Sequence, residues 1–451
     1  MHIDRRKIAE LRRREDARFV EARPRSRALL ERARASMPAG VPMAWMVSLY
    51  AHAPIFVREA SGAYITDVDG HRYLDMNLAD TSMACGYGLE VVAEAVRAQF
   101  LRGSQYLLPT EEDALVAEAL AARYGLPRWQ FTLAASSANA EAIRISRAFT
   151  GRDRVLVLDG KYHGMLDETV QVPADDGVRA EVEGLARDAG KSTDIVPYND
   201  LSAVERVLER GATACVLVEA AMTSVSGIVL PQPGFLDGLR DLTRRFGSVL
   251  VVDETHTHVC AFGGLTRAWN IDCDVLVLGK AIAGGIPAGL YGLAEDLAGF
   301  VEASVEAGDR GYLPDLAIGG TLFANPLQIA AIRATLDHVL TEAAQAEAAR
   351  LGEVLARGIE SGAERRGLPW SAHRLYSRSG YHFARELPRD NAEATAAADP
   401  ELRDLMRVYM ANRGVWEAIH SASPAVSLAA EEADIDLYLS VYGACLDELT
   451  A

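Results

Sequence analysis

The chain has 451 residues, of which 49% are apolar and 24% charged, and it carries a formal net charge of −17. That length accommodates two domains or one large α/β body, with the apolar-to-charged balance of a soluble globular protein. The acidic surplus repels phosphate backbones and argues against a nucleic-acid partner, and no stretch reaches the roughly eighteen uninterrupted apolar residues of a membrane span. Residues 1–14 are dense in charge and lack the apolar stretch of a secretory signal. Five scattered cysteines (Cys85, Cys215, Cys260, Cys273, Cys445) without C-x-x-C spacing fit reduced thiols better than disulfides or zinc ligands. Both features point to the cytoplasm.

In chain order, residues 4–36 read as charged helical sequence, and short strands are expected at 55–57, 62–68 and 73–76, the last two joined by a turn at Asp69-Gly70. Helical periodicity follows at 91–101, 111–124 and 138–150. Strands at 154–159, 214–219, 248–253 and 275–278 then alternate with helices at 201–210 and 236–246. The strands are apolar throughout, as expected when both faces of a mostly parallel sheet are covered by helices. Residues 326–366 predict one or two long helices broken near Thr341, followed by a strand at 381–385 and helices at 400–412 and 433–446. The expected organisation is α/β. A large domain spans residues 106–325, and the smaller α+β domain is made from both termini, residues 1–105 and 326–451.

Four lysines (Lys7, Lys161, Lys191, Lys280) stand against forty-two arginines, so cationic surface work falls to arginine. Lys280 closes the apolar run Val275-Leu276-Val277-Leu278 and precedes a glycine-rich turn. A desolvated lysine there suits amine chemistry, which a permanently protonated arginine cannot perform; the competing reading is a snorkelling strand-end lysine. Asp253 closes a second buried strand, twenty-seven residues earlier. Ligands of α/β sheets bind beyond the carboxyl ends of the strands, so both side chains can meet one crevice. A lysine and a carboxylate are what pyridoxal phosphate requires, one for the Schiff base and the other for the pyridinium nitrogen. Ala134-Ala135-Ser136-Ser137-Ala138 and Gly319-Gly320-Thr321 are small or hydroxyl turns entering helices, suited to an anion or to simple capping. Tyr162 offers an aromatic face for stacking. Neither a G-x-G-x-x-G nor a Walker loop is present.

Several motifs in order and spacing resemble the class III aminotransferases of pyridoxal-phosphate fold type I, nearest to the glutamate-1-semialdehyde aminotransferase branch. They are Gly62-Ala63-Tyr64, Asp67-Val68-Asp69-Gly70, Thr150-Gly151-Arg152, Tyr162-His163-Gly164, Pro231-Gln232-Pro233-Gly234-Phe235, Asp253-Glu254-Thr255, Gly279-Lys280 and Gly319-Gly320-Thr321. The resemblance implies that Lys280 carries the Schiff base and shuttles a proton, and that Asp253 pairs with the ring nitrogen. Ala135 and Ser136 would hold the phosphate, Tyr162 would stack on the ring, and Glu219 would support the site. Thr321 would reach the phosphate of a neighbouring subunit, making a homodimer with shared sites.

Departures bear on the substrate. The phosphate turn lacks the family's glycine and glutamate. Thr255 stands where Val or Ile is usual, and His256, where Gln or Met is common, is a candidate donor to the cofactor's phenolic oxygen. Tyr87 stands where relatives often have histidine. Residues 41–47 contain no basic residue where the aminomutases hold a carboxylate-gripping arginine, and present Trp45 instead. Arg378 is an alternative carboxylate ligand, against a reading as a solvated surface arginine. The expected activity is amino-group transfer between an amine or amino acid donor and a carbonyl acceptor by ping-pong chemistry. A racemase or aminomutase, or a catalytically silent relative, is the alternative.

Overall fold

The computed structural model describes residues 3–48, 50–175, 177–225, 227–307, 316–417 and 424–451. Its centre is a seven-stranded sheet in the order Arg128–Thr132, Gly289–Leu293, Val275–Gly279, Val249–Asp253, Thr213–Glu219, Arg154–Leu158, Thr193–Val196. The last five pair in parallel, and Gly289–Leu293 alone runs antiparallel to both its neighbours. Successive residues of each strand serve opposite faces. Val249 and Val251 join Val155, Val157, Val275 and Val277 in a core under the helix Ala135–Thr150. Leu250 and Val252 join Leu156, Leu158, Leu276 and Leu278 in a second core on the other face, with Leu120 and Ile332. Burial on both faces is why these strands read as unbroken apolar runs.

A further core is built from both ends of the chain. Ile8 and Leu11 from the helix Arg5–Glu21 pack with Leu355, Ile359, Leu405 and Tyr438 from three C-terminal helices. Beside it Val415–Trp416 pairs in parallel with Arg72–Asp75, the last strand of a meander whose other strands are Val57–Ser61 and Tyr64–Asp67.

The helix Glu111–Tyr124 lies as expected, and the long C-terminal helical stretch divides into Pro326–His338 and Glu342–Glu364, with the Thr341 side chain capping the second. Several boundaries shift, among them the strand expected at 381–385, which is Gly380–His382, and the last helix, which runs Glu432–Thr450; two shifts have a direct physical cause. The strand expected at 55–57 is Val57–Ser61, because the hairpin turns at Gly62 (φ +58°) and pairs Ser61 with Tyr64. The helix expected from 138 starts at Ala135, so the small-residue turn is itself the first helical turn. Gly289–Leu293 has two glycines, which weaken the strand signal. The fold demands Gly289, because a β-carbon there would lie 2.2 Å from the Ala134 carbonyl carbon.

Candidate active site

The parallel strands deliver Glu219, Asp253 and Lys280 to one edge of the sheet, with Asp253 in register with Glu219 and Val277. There a cleft of roughly 600 Å³ opens, lined by Lys280, Asp253, Glu219, Tyr162, Trp45 and Asp80 among others. Lys280 adopts a left-handed conformation (φ +51°), directly after the strand. Its Nζ donates to the Asp80 carbonyl at 2.8 Å and to Asp80 Oδ2 at 2.5 Å. Burial depresses the Lys280 pKa below that of an ordinary lysine, and Asp80 works in the opposite direction.

Asp253 is buried but fully partnered. Its Oδ2 accepts from His163 Nδ1 at 2.9 Å and Asn139 Nδ2 at 2.8 Å; its Oδ1 accepts from the Thr255 hydroxyl at 2.6 Å and the Thr255 N–H at 3.0 Å. Burial alone would raise its pKa; the hydrogen bond and charge of His163, with help from Thr255 and Asn139, bring it down to about 2. The carboxylate is therefore ionised at neutral pH.

The first N–H groups of the helix Ala135–Thr150 have no intrahelical partner, and Ala134 at the N-cap provides no side-chain acceptor. Ala135 and Ser136 both line the cleft at this end. The backbone of Gly164 (φ +92°) passes so close that a β-carbon would come within 2.1 Å of Ser136 Oγ. One helix thus carries the open donors and, one turn on, the Asn139 amide that steadies Asp253.

On the neighbouring strand end, Glu219 Oε1 accepts the Tyr162 N–H at 3.2 Å, and Oε2 accepts the Thr223 N–H at 3.0 Å and hydroxyl at 2.6 Å. Because the Thr223 proton goes to Glu219, the 2.7 Å contact between Thr223 Oγ1 and His256 Nδ1 makes the imidazole the donor. Its Nε2 has no hydrogen-bond partner among the described residues and sits 3.8 Å from Asp80 Oδ2. Trp45 stands over Tyr162 with ring centroids 5.5 Å apart. His258 lies behind the site, its Nε2 contacting the Gly279 carbonyl at 3.1 Å.

Two expected site residues lie away from the cleft. Arg378 is neither a surface arginine nor a cleft residue: it is 1% exposed, and its Nη1 donates to the His256 carbonyl at 3.3 Å. Its turn is pressed against the helix Glu342–Glu364 at Gly352, where a β-carbon would lie 2.0 Å from the Tyr376 carbonyl oxygen. Thr321 is exposed, and its carbonyl accepts from the Gln105 side chain at 2.5 Å. Conversely, Asp80, Asn139 and Thr223 belong to the site and were not expected. Asn139 has a legible signal, a buried amide one turn after the phosphate-turn serine; Asp80 has none, since two hundred residues separate it from Lys280.

A ring bearing a phosphate at one end and a basic nitrogen at the other fits this donor set. Open N–H groups and the Ser136 hydroxyl suit the phosphate, and the ionised Asp253 suits the nitrogen. Among the described residues no His, Cys, Asp or Glu cluster is arranged to hold a metal.

The fold and these residues define a pyridoxal-phosphate enzyme of fold type I. The model of the class-III aminotransferase family matches residues 47–399, and the chain belongs to that family. It is similar to a solved glutamate-1-semialdehyde-aminomutase from Pseudomonas aeruginosa PAO1 in complex with PMP, at 36% identity and TM-score 0.94, with both chains covered completely. It is also similar to a solved β-phenylalanine aminotransferase from Variovorax paradoxus, at 27% identity and TM-score 0.85 over 97% of each chain. A curated relative, the glutamate-1-semialdehyde 2,1-aminomutase of Syntrophobacter fumaroxidans, is 32% identical over 86% of this chain and 89% of its own. The cofactor is pyridoxal 5′-phosphate.

Proposed function

We propose that this chain moves an amino group with Lys280 as the reacting amine, on a substrate lacking a carboxylate that needs an arginine clamp. The observation that carries this reading is Lys280 beside the ionised Asp253 in one cleft, with no arginine among the described residues that line it. Bound pyridoxal phosphate supplies an aldehyde for the amino group and a ring that withdraws electrons from the neighbouring carbon. Burial favours the neutral, nucleophilic form of Lys280, which would hold the cofactor's aldehyde carbon and, when free, would move the proton at the substrate carbon. The ionised Asp253 would hold the ring nitrogen in its protonated form. Ala135 and Ser136 would bind the phosphate, Tyr162 and Thr255 would cover the ring, and His256 would meet its phenolic oxygen. Glu219 fixes Tyr162 and, through Thr223, His256. Trp45 forms an apolar wall of the substrate pocket.

Two modes share this machinery. A two-substrate aminotransferase releases one carbonyl product and takes up an acceptor; an aminomutase exchanges the group within one molecule. The names of the relatives support the aminomutase mode better than the two-substrate mode. The cleft lining argues only against glutamate semialdehyde as the particular substrate. A homodimer is part of the proposal: exposed Phe100, Leu101, Leu107, Leu108 and Leu322 form apolar surface next to the Gln105–Thr321 contact, and covering them with a second subunit would carry Thr321 to the partner's phosphate. Five buried free cysteines support a reducing, cytoplasmic setting.

The test is the visible spectrum of the purified holoenzyme, mixed with amines, amino acids and amino-aldehydes without an acceptor. Stoichiometric bleaching by a donor indicates the two-substrate mode; catalytic turnover of a single amino-aldehyde indicates the aminomutase mode. Loss of the visible band in Lys280→Ala assigns the lysine. No change with any substrate class, in protein that holds the cofactor, overturns the proposal.

A further inference from the structure

Resting on the amino-transfer reading, we infer that Asp80 is the specificity-determining residue of the cleft and selects substrates bearing a second cationic nitrogen, such as a diamine or its amino-aldehyde. Among the described residues three carboxylates line the cleft, Asp80, Glu219 and Asp253, against one lysine. Two of them are satisfied by fixed neighbours: Asp253 by His163, Asn139 and Thr255, and Glu219 by Thr223 and the Tyr162 N–H. Asp80 differs, because its cation at 2.5 Å is the reacting lysine itself. Its other neighbours are His256, whose Nε2 is 3.8 Å away, and the buried Arg378, which interacts with it through space. With Lys280 engaged by the cofactor, its full ammonium would give way to a nitrogen that titrates, and above that transition the Asp80 carboxylate would face the space where substrate enters without a cation. A substrate ammonium restores the pairing; a substrate carboxylate meets a like charge, with no arginine among the described lining residues to compensate.

The backbone shows that this position is imposed. Leu78, Ala79, Asp80 and Thr81 are four consecutive non-glycine residues with positive φ (+53°, +47°, +56°, +64°). Each left-handed residue costs free energy, and such runs persist only when the surroundings dictate them. Here Asp75 Oδ1 accepts the N–H groups of Asn77 and Leu78 at 2.8 and 2.9 Å, while its Oδ2 accepts the Tyr87 hydroxyl at 2.6 Å. Leu78 and Thr81 are buried to either side. The run turns the Asp80 carboxylate into the cleft.

The experiment compares diaminobutane, butylamine and aminobutyrate as donors to the holoenzyme. They are short amines whose far ends are cationic, neutral and anionic. Wild type should prefer them in that order. Asp80→Asn keeps the shape and suits a left-handed backbone, so the fold is retained; the diaminobutane-to-butylamine preference should fall roughly ten- to hundredfold. A second readout is the pH at which the visible band changes: the carboxylate stabilises a protonated nitrogen on Lys280, so its removal moves that transition to lower pH. An unchanged preference ratio, equal loss of all three donors, or a wild-type preference for aminobutyrate overturns the inference alone. If no amino compound of any class alters the wild-type cofactor, the amino-transfer reading fails and this inference falls with it.

Discussion

Removing His163 tests whether Asp253 is maintained as an anion by its neighbours. His163→Phe keeps an aromatic ring in a fully enclosed position but deletes the 2.9 Å donor to Asp253 Oδ2. In the intact site the carboxyl is lowered from 3.8 to about 2, although burial, the largest single influence, pushes it upward. That net depression corresponds to roughly 2 kcal/mol in favour of the charged form. Loss of a hydrogen bond to a charged group costs about 1.5–3 kcal/mol, or a cofactor affinity weaker by roughly ten- to a hundredfold. The sign with pH follows. A carboxylate with a depressed pKa stays charged until the pH falls through that value, so wild type loses no affinity from Asp253 until near pH 2. In the variant, burial is opposed by the remaining neighbours, Asn139 and Thr255 with the Lys280 charge, so the pKa rises and affinity declines as the solution is acidified from a higher starting pH. Pyridoxal phosphate titrated into the apo-proteins between about pH 5 and pH 8 measures this. Titration of the cofactor's own phosphate is common to both proteins and cancels in the comparison. A folded variant with wild-type affinity and the same pH profile would refute the argument.

Thr255→Val removes only the hydroxyl at Asp253 Oδ1 and leaves the backbone N–H in place, so cofactor affinity should fall by no more than severalfold, measured by the same titration. Gly164→Ala should weaken inorganic phosphate binding by about tenfold or more, read by calorimetry, because its β-carbon would collide with Ser136 Oγ and its φ is +92°. Leu101→Asp combined with Leu108→Asp should halve the mass seen by light scattering, since both side chains are 74% exposed on the face proposed to meet the second subunit.

Fold class was legible because the strands delivering the site are buried on both faces. Val249–Asp253 and Val275–Gly279 are apolar at every position before the functional residue, and that pattern marks the sheet without reference to partners. Strands whose character depends on a neighbour were not legible. Gly289–Leu293 is a strand because it fills the gap between Arg128–Thr132 and Val275–Gly279, and it keeps its glycines because Ala134 and Trp129 press against them. Its local propensity points the other way, and tertiary packing overrides it.

The same division runs through the site. Lys280 and Asp253 could be read because each ends an apolar run, so their position relative to the sheet is encoded next to them in the chain. Arg378 could not, since its burial comes from a turn pressed on a helix through Gly352, a contact invisible in the local sequence Tyr376-Ser377-Arg378. Asp80 is the strongest case. Asp80 alone among Leu78-Ala79-Asp80-Thr81 tolerates a left-handed conformation readily, and the local preference of the other three opposes the run. The conformation is paid for by Asp75, which ties down the start of the turn, and by Tyr87, which ties down Asp75. Residues that perform the common chemistry sit at strand ends, where pattern gives them away. The residue proposed to choose the substrate sits on a strained turn that is specified only by its contacts.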